Sequence, residues 1–163
     1  MNKFRPAKDR IFIYITSLYL VGLIFGLFIF PDQKYTPETG KNFLEVFTTN
    51  YWYIFLIWIL GFSLTGLLFT SLIIFFRGFL FGALLTLFFP EEIKHLLFLL
   101  LLELVLFLPA FLLVCYFSLG LSLRSLTNLF SYQNLNFKIY LNIILITTII
   151  IIIYSIIIVT YQV

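Results

Sequence analysis

Long apolar runs separated by short polar stretches dominate the chain. The first run, residues 11–30, has 20 apolar or small residues and follows a basic N-terminal decapeptide. At about 1.5 Å per helical residue it measures about 30 Å, the thickness of a bilayer core. It is too long for the core of a signal peptide, and Pro31-Asp32-Gln33 stands where a cleavage site would need small residues. The pattern predicts an uncleaved first span whose N-terminus is cytoplasmic.

The longest apolar stretch, residues 51–89, exceeds one membrane crossing. Its 39 residues are interrupted only by Arg77, and as one helix they would measure about 58 Å. Two tight crossings at 51–70 and 72–89, joined by a turn near Thr70-Ser71, account for this length. That arrangement places Arg77 inside the membrane.

A turn at Arg77-Gly78 is the alternative. It leaves only the 12 residues 78–89 beyond the turn, which is about 18 Å as a helix and roughly half a bilayer. Such a half-membrane or re-entrant segment is tolerated only where protein buries it or where it lines a wet cavity. Ahead of the long stretch, residues 42–49 are expected to form a short helix at the membrane surface, followed by a belt of aromatic residues.

Two further apolar runs complete the pattern. Residues 96–117 follow Pro90-Glu91-Glu92, a good helix start. Residues 139–159 contain 12 isoleucines and are expected to form a plain lipid-exposed helix. The sequence therefore predicts an all-α, polytopic transmembrane helix bundle in a single integral membrane domain, residues 1–163. It has about five membrane segments, one of them short, broken or re-entrant.

The distribution of positive charge predicts the orientation. With five crossings, seven Lys and Arg residues fall on the side of the N-terminus and three on the other side; a re-entrant segment changes this to six against four. Cytoplasmic segments carry the excess of Lys and Arg. The count favours five crossings of a bacterial cell membrane, with the N-terminus cytoplasmic and the C-terminus outside.

Composition agrees with a protein embedded in a lipid bilayer and argues against several classes of function. The chain is 63% hydrophobic and 10% charged, and a soluble domain of this size could not hide so much apolar surface. The net charge of +3 lies in connections rather than on a basic, aromatic face, so nucleic-acid binding is not expected. Cys115 and His95 are single, and no catalytic motif is present. We expect no catalytic, cofactor or metal site, and no enzyme.

Glu103 is the sharpest chemical signal. It lies within the run 96–108, where an acidic side chain in a bilayer costs about 2.5–3.5 kcal/mol on insertion scales, so it is expected to face the bundle interior. Its natural partner is Arg77. Alternatively, it is protonated and hydrogen-bonded to backbone that Pro109 frees by kinking its helix. A proton- or substrate-coupled role competes with a purely structural pair, and Arg77 would otherwise anchor a cytoplasmic turn.

Glycine spacing points to close helix packing. Gly22 and Gly26 are four residues apart, as are Gly78 and Gly82. Small residues at this spacing let two helix backbones approach each other in a membrane. The pairs allow packing within one bundle and equally allow self-association, so the oligomeric state stays open.

Three short motifs follow one another in the apolar part of the chain. The first is built on Trp58, Gly61, Ser63 and Gly66, the second on Arg77, Gly78 and Gly82, and the third places Glu103 before Pro109, Ala110 and Phe111. Together with an initial YLVGLIFG segment, they resemble the stage II sporulation protein M family over about residues 11–125. The chain departs from that family in its outer loop of about 20 residues, in its abbreviated C-terminal part, and in Glu103, where glutamine or histidine is expected.

The resemblance implies a non-catalytic membrane protein of around five spans that works with other membrane proteins. The sporulation member acts in forespore engulfment with two partners that degrade peptidoglycan. Compact members accompany circular-bacteriocin gene sets and are thought to act in maturation, export or immunity, alongside transporter subunits and with the peptide as a possible substrate. The small size and the Ile/Phe-rich composition favour the bacteriocin setting. A scaffold for cell-wall hydrolases and a small transport-associated subunit are the alternatives.

Overall fold

The computed structural model describes residues 5–29, 42–87, 93–127 and 137–162, and these are helical apart from one short turn and the residue before α2. Five stretches in them are long and apolar enough to cross a membrane, the fourth being formed by α4 and α5 together. The predicted all-α bundle of about five membrane segments is therefore confirmed. The helices are α1 (Arg5–Ile29), α2 (Phe43–Leu60), α3 (Gly66–Leu87), α4 (Ile93–Leu102), α5 (Leu108–Thr127) and α6 (Phe137–Gln162), with a π-helical turn (Glu103–Phe107) between α4 and α5.

Helices α1 and α3 run side by side in the same direction. The Tyr14 hydroxyl lies 2.9 Å from that of Ser71, and further along both helices Gly26 lies against the backbone of Phe79. Helix α2 precedes α3 through a tight turn, so the beginning of α1 lies at the same face of the bundle as that turn.

The last two spans continue this alternation. Ser122, near the end of α5, donates to the Ser63 carbonyl in the α2–α3 turn at 3.1 Å. Tyr140, near the start of α6, donates to the Trp58 carbonyl at 2.5 Å. The end of α5 and the start of α6 therefore both lie at the α2–α3 turn. Helix α6 consequently ends at the face opposite to the one where α1 begins.

Glycines set the close contact between α1 and α3. A methyl group on Gly22 would overlap the Phe75 carbonyl, and one on Gly78 would overlap the Tyr19 carbonyl. Gly26 and Gly82 meet the facing backbone in the same way. The two glycine pairs therefore interlock with each other within one chain.

The turn between α2 and α3 lies earlier than the sequence predicts. It occupies residues 61–65, so the prediction of a turn near Thr70-Ser71, with spans at 51–70 and 72–89, is wrong. A helix end exposes carbonyls that need donors, and here Tyr140 donates to the Trp58 carbonyl. Ser118 adds a second donor, at 2.7 Å, to the Ile57 carbonyl, which also accepts the Gly61 N–H. Gly61 leaves room for Ser118 and Tyr140. Partners supplied by α5 and α6 thus stabilise the turn together with a local bond, in which the Thr65 N–H donates to the Ser63 hydroxyl at 3.2 Å.

Moving the turn changes the neighbouring predictions. The re-entrant alternative for residues 78–89 is also wrong, because Gly78–Leu87 is the second half of the continuous helix α3. Residues 43–49 are not a separate surface helix but the beginning of α2. The polar connection at 31–41 and the turn at 90–92 lie outside the described residues.

Helix α6 is not the plain lipid-exposed helix that its isoleucines suggest. One face is buried at the three- and four-residue spacing of a helix, at Tyr140, Ile143, Thr147, Ile151 and Tyr154. That face packs against α2, α5 and the π-helical turn. Isoleucine is equally apolar on both faces, so periodicity could not distinguish them.

Replacing Gly78 with alanine should separate α1 from α3. Forcing a methyl group into a packed contact destabilises proteins by about 1–3 kcal/mol, so we expect a lower midpoint of thermal unfolding in detergent micelles. Gly120→Ala in α5 is the matched control, because no atom lies within 4 Å of the added methyl group. Equal midpoints for the two variants would contradict the interlocked packing.

Candidate functional site

Arg77 lies in the middle of a membrane-spanning helix. It is the twelfth of the 22 residues of α3, about 16 Å from either end of the helix. Its residue surface is 9% exposed, and that of Glu103 is 4% exposed. The alternative in which Arg77 anchors a cytoplasmic turn is therefore wrong.

The structure brings Arg77 and Glu103 together. The Arg77 Nη2 atom donates to Glu103 Oε1 at 2.6 Å. The other carboxylate oxygen, Oε2, accepts the hydroxyl of Tyr154 on α6 at 2.6 Å. Both oxygens of the carboxylate thus have a donor, whereas the buried Arg77 Nε–H has no partner in the described parts of the chain. A buried ion pair is tolerated when additional hydrogen bonds satisfy its groups, and here the carboxylate meets that condition.

Helix α2 supplies a further partner for the guanidinium. Arg77 Nη2 also lies 3.3 Å from Oδ1 of Asn50, and the Asn50 amide donates to the Val46 carbonyl at 2.8 Å. That second bond holds the amide so that its oxygen faces the cation.

Aromatic rings cover the guanidinium. Its central carbon lies 4.2 Å from the centroid of the Phe107 ring and 5.6 Å from that of Tyr53. A cation over a ring face is stabilised by about 0.5–2 kcal/mol, with the larger values in desolvated sites. These groups, with Asn50, Glu103 and Tyr154, form the charge cluster, which joins α2, α3, the π-helical turn and α6.

The π-helical turn begins at Glu103. Its bonding is shown by the N–H of Leu108, which donates to the Glu103 carbonyl five residues earlier. Pro109 follows at once, and it has no N–H to offer the carbonyl four residues back, that of Val105. A missing donor is a physical reason for the helix to widen just before the proline. The structure thus has a π-helical turn just before Pro109, where the sequence predicts a kink.

The other predicted positions lie outside the charge cluster. Gly61 and Gly66 shape the α2–α3 turn, while Gly78 and Gly82 line the α1–α3 contact. Pro109 is exposed and acts through the backbone. In the described parts of the chain, no group of three His, Cys, Asp or Glu side chains is placed to hold a metal ion.

Sequence reasoning missed Asn50 and Tyr154. Each of them is a polar side chain at a position where the sequence is otherwise apolar. Asn50 lies on the same buried face of α2 as Val46 and Ile54, and Tyr154 stands within a run of isoleucines. Phe107 carries no such signal, since its use for a cation–π contact is indistinguishable from ordinary packing in an apolar sequence.

Comparison with known proteins identifies one family. The model of the family described as Stage II sporulation protein M matches residues 15–161 of the 163-residue chain. No curated protein and no solved structure matches the chain. The match includes all six helices except the first residues of α1 and the last of α6.

A double-mutant cycle tests the energetic coupling of the ion pair. Arg77→Met and Glu103→Gln each leave an uncompensated buried charge, which destabilises proteins by about 3–5 kcal/mol. The double variant leaves no charge, so we expect it to be more stable than either single variant. Thermal unfolding in micelles or lipid nanodiscs measures the three values.

Lys138→Met is the matched control, because it removes an exposed cation from the start of α6. Surface substitutions of this kind change stability by about 0.5 kcal/mol or less. Additive losses from the two cluster substitutions would show that Arg77 and Glu103 are not coupled.

Proposed function

The chain belongs to the stage II sporulation protein M family, and we propose that it is a non-catalytic accessory component in the maturation, export or immunity of a circular bacteriocin. The charge cluster is the observation that supports a non-catalytic role. Glu103 holds Arg77 and Tyr154 at 2.6 Å each, so its carboxylate is engaged in joining helices. The compact size and the Ile/Phe-rich composition favour the bacteriocin setting within the family.

The cluster argues against an independent ion-coupled transporter. A coupling carboxylate must exchange its ion or proton along a wet path. Glu103 is 4% exposed. It lines a cavity with Thr16 and Tyr19, but the surface of that cavity is almost entirely apolar. A role that works through other membrane proteins, such as transporter subunits, suits this interior better.

We infer the orientation from the helix directions and the charges. In the sequence, six Lys and Arg residues flank helix ends at the face where α1 begins and three flank helix ends at the other face, once Arg77 is assigned to the interior. By the positive-inside rule, this count supports a cytoplasmic N-terminus and an outside C-terminus. Asp and Glu contribute little to this rule.

A second candidate is a scaffold for envelope remodelling. The description of the matching family favours it. In this role the bundle would hold cell-wall hydrolases at a septum, and the protein would copurify with those enzymes. The two candidates differ in their partners and in where the protein collects in the cell.

Deletion of the gene from a strain that makes a circular bacteriocin tests the first candidate. We expect the yield of cyclic peptide, or survival of the producer in it, to fall several-fold. The wild-type gene and Gly120→Ala should restore both, whereas Gly78→Ala should restore less because its bundle is loosened. Unchanged yield and survival, together with septal localisation and copurifying hydrolases, would contradict the bacteriocin role and support the scaffold.

A further inference from the structure

Helix α4 stands apart from the rest of the bundle. It contacts chiefly the π-helical turn that follows it. Among its described side chains only Leu102 is buried in the core, and Phe98 and Leu99 are partly buried against it. Leu97 and Leu101 are 57% and 59% exposed. Its clearest contact with another span is the stacking of Phe98 on Tyr161 of α6, with ring centroids 3.9 Å apart. A segment with so few buried contacts belongs to the least stable part of a fold.

A cavity lies between the α1–α3 pair on one side and α4, the π-helical turn and α5 on the other. Its volume is about 220 Å³, and its walls include Leu23 of α1, Phe81 of α3, Leu100 of α4, Glu103 of the π-helical turn and Leu112 of α5. Protein interiors are otherwise packed at crystal-like density, so a space of this size between two elements allows them to move relative to each other. The α1–α3 pair is interlocked by its glycines, and α5 is tied to the α2–α3 turn. This leaves α4 with the π-helical turn as the movable part of the wall.

The π-helical turn provides the joint for such a movement. It lies between α4 and α5, and it is followed by Pro109, which cannot donate to the turn before it. Helices bend sharply at prolines and π-bulges because their backbone hydrogen bonds are fewer or longer there. On the other side of the joint, α5 is fixed by its contacts with the α2–α3 turn.

Glu103 is placed where it can hold the joint in one position. It is the first residue of the π-helical turn and therefore lies at its α4 end. Its carboxylate is tied to α3 through Arg77 and to α6 through Tyr154. These two contacts fix the end of α4 to helices that do not move with it.

We propose that α4 is a hinged segment that moves about the π-helical turn, widening and narrowing the cavity beside α1 and α3, and that Glu103 is its latch. In a membrane the cavity opens sideways to the bilayer beside Leu20 and Leu104, which are exposed, and this movement changes its width. The ion pair is then more than a fixed support, because its formation favours one position of α4. This inference does not depend on the bacteriocin role.

Distances between nitroxide labels test the hinge. In a Cys115→Ala background, Ile24→Cys in α1 is paired with Leu97→Cys in α4, since both native side chains are at least half exposed. In lipid nanodiscs, Glu103→Gln should widen this distance distribution or add a second peak. The matched pair, Ile24→Cys with Leu113→Cys in α5, crosses the same space beyond the joint and should not change.

The comparison of the two pairs decides the outcome. Widening confined to the α1–α4 pair supports the latch. No widening in either pair, or equal widening in both, overturns it, since the first result means a rigid α4 and the second a general loosening. If Glu103→Gln fails to fold, the same two distances are measured in Tyr154→Phe. This variant removes the hydrogen bond from Tyr154 to Glu103 and keeps the ion pair with Arg77, so the same outcomes support or overturn the latch.

Discussion

The pairing of Arg77 with Glu103 is the interaction on which the rest of the structure depends. Arg77 lies in the middle of one apolar span and Glu103 lies within another, where neither charge is tolerated alone. The bundle must therefore bring α3 and the π-helical turn to within 2.6 Å. Asn50 and Tyr154 then draw α2 and α6 to the same point. Apolar packing in a membrane gives little preference for one arrangement of helices, because lipid is as apolar as leucine. The charge cluster supplies that preference.

The features around the cluster follow from this requirement. Helix α3 has Arg77 at its centre because the preceding turn falls at residues 61–65, where donors from α5 and α6 cap the end of α2. Its other side meets α1 through interlocked glycines. The π-helical turn begins at Glu103 itself, so the irregular backbone lies beside the ion pair. Close packing on one side and a cavity on the other give the bundle a fixed part and a part that we infer to move.

The sequence predicts the class of fold and the two charged residues of the cluster, but not the course of the chain through the membrane. Long apolar runs and a buried acid are direct signals. The position of the first tight turn is not, because Gly61, Ser63 and Thr65 compete with the equally polar pair Thr70-Ser71. The groups that cap the turn lie more than 50 residues later. The buried face of α6 was missed for a similar reason: isoleucine gives no contrast between faces. Tertiary partners decide both features, and a single sequence does not reveal them.

The most direct test of the ion pair is its distance in a lipid bilayer. Solid-state NMR can measure dipolar coupling between nitrogen-15 in arginine side chains and carbon-13 in glutamate carboxylates. A contact of 2.6 Å between Arg77 Nη2 and Glu103 Oε1 predicts that one glutamate carboxylate signal is strongly dephased by arginine nitrogen. In the Glu103→Gln variant no carboxylate signal should show this dephasing. A spectrum in which wild type and Glu103→Gln show the same dephasing would contradict the account, because it would mean that the two charges are apart in the membrane.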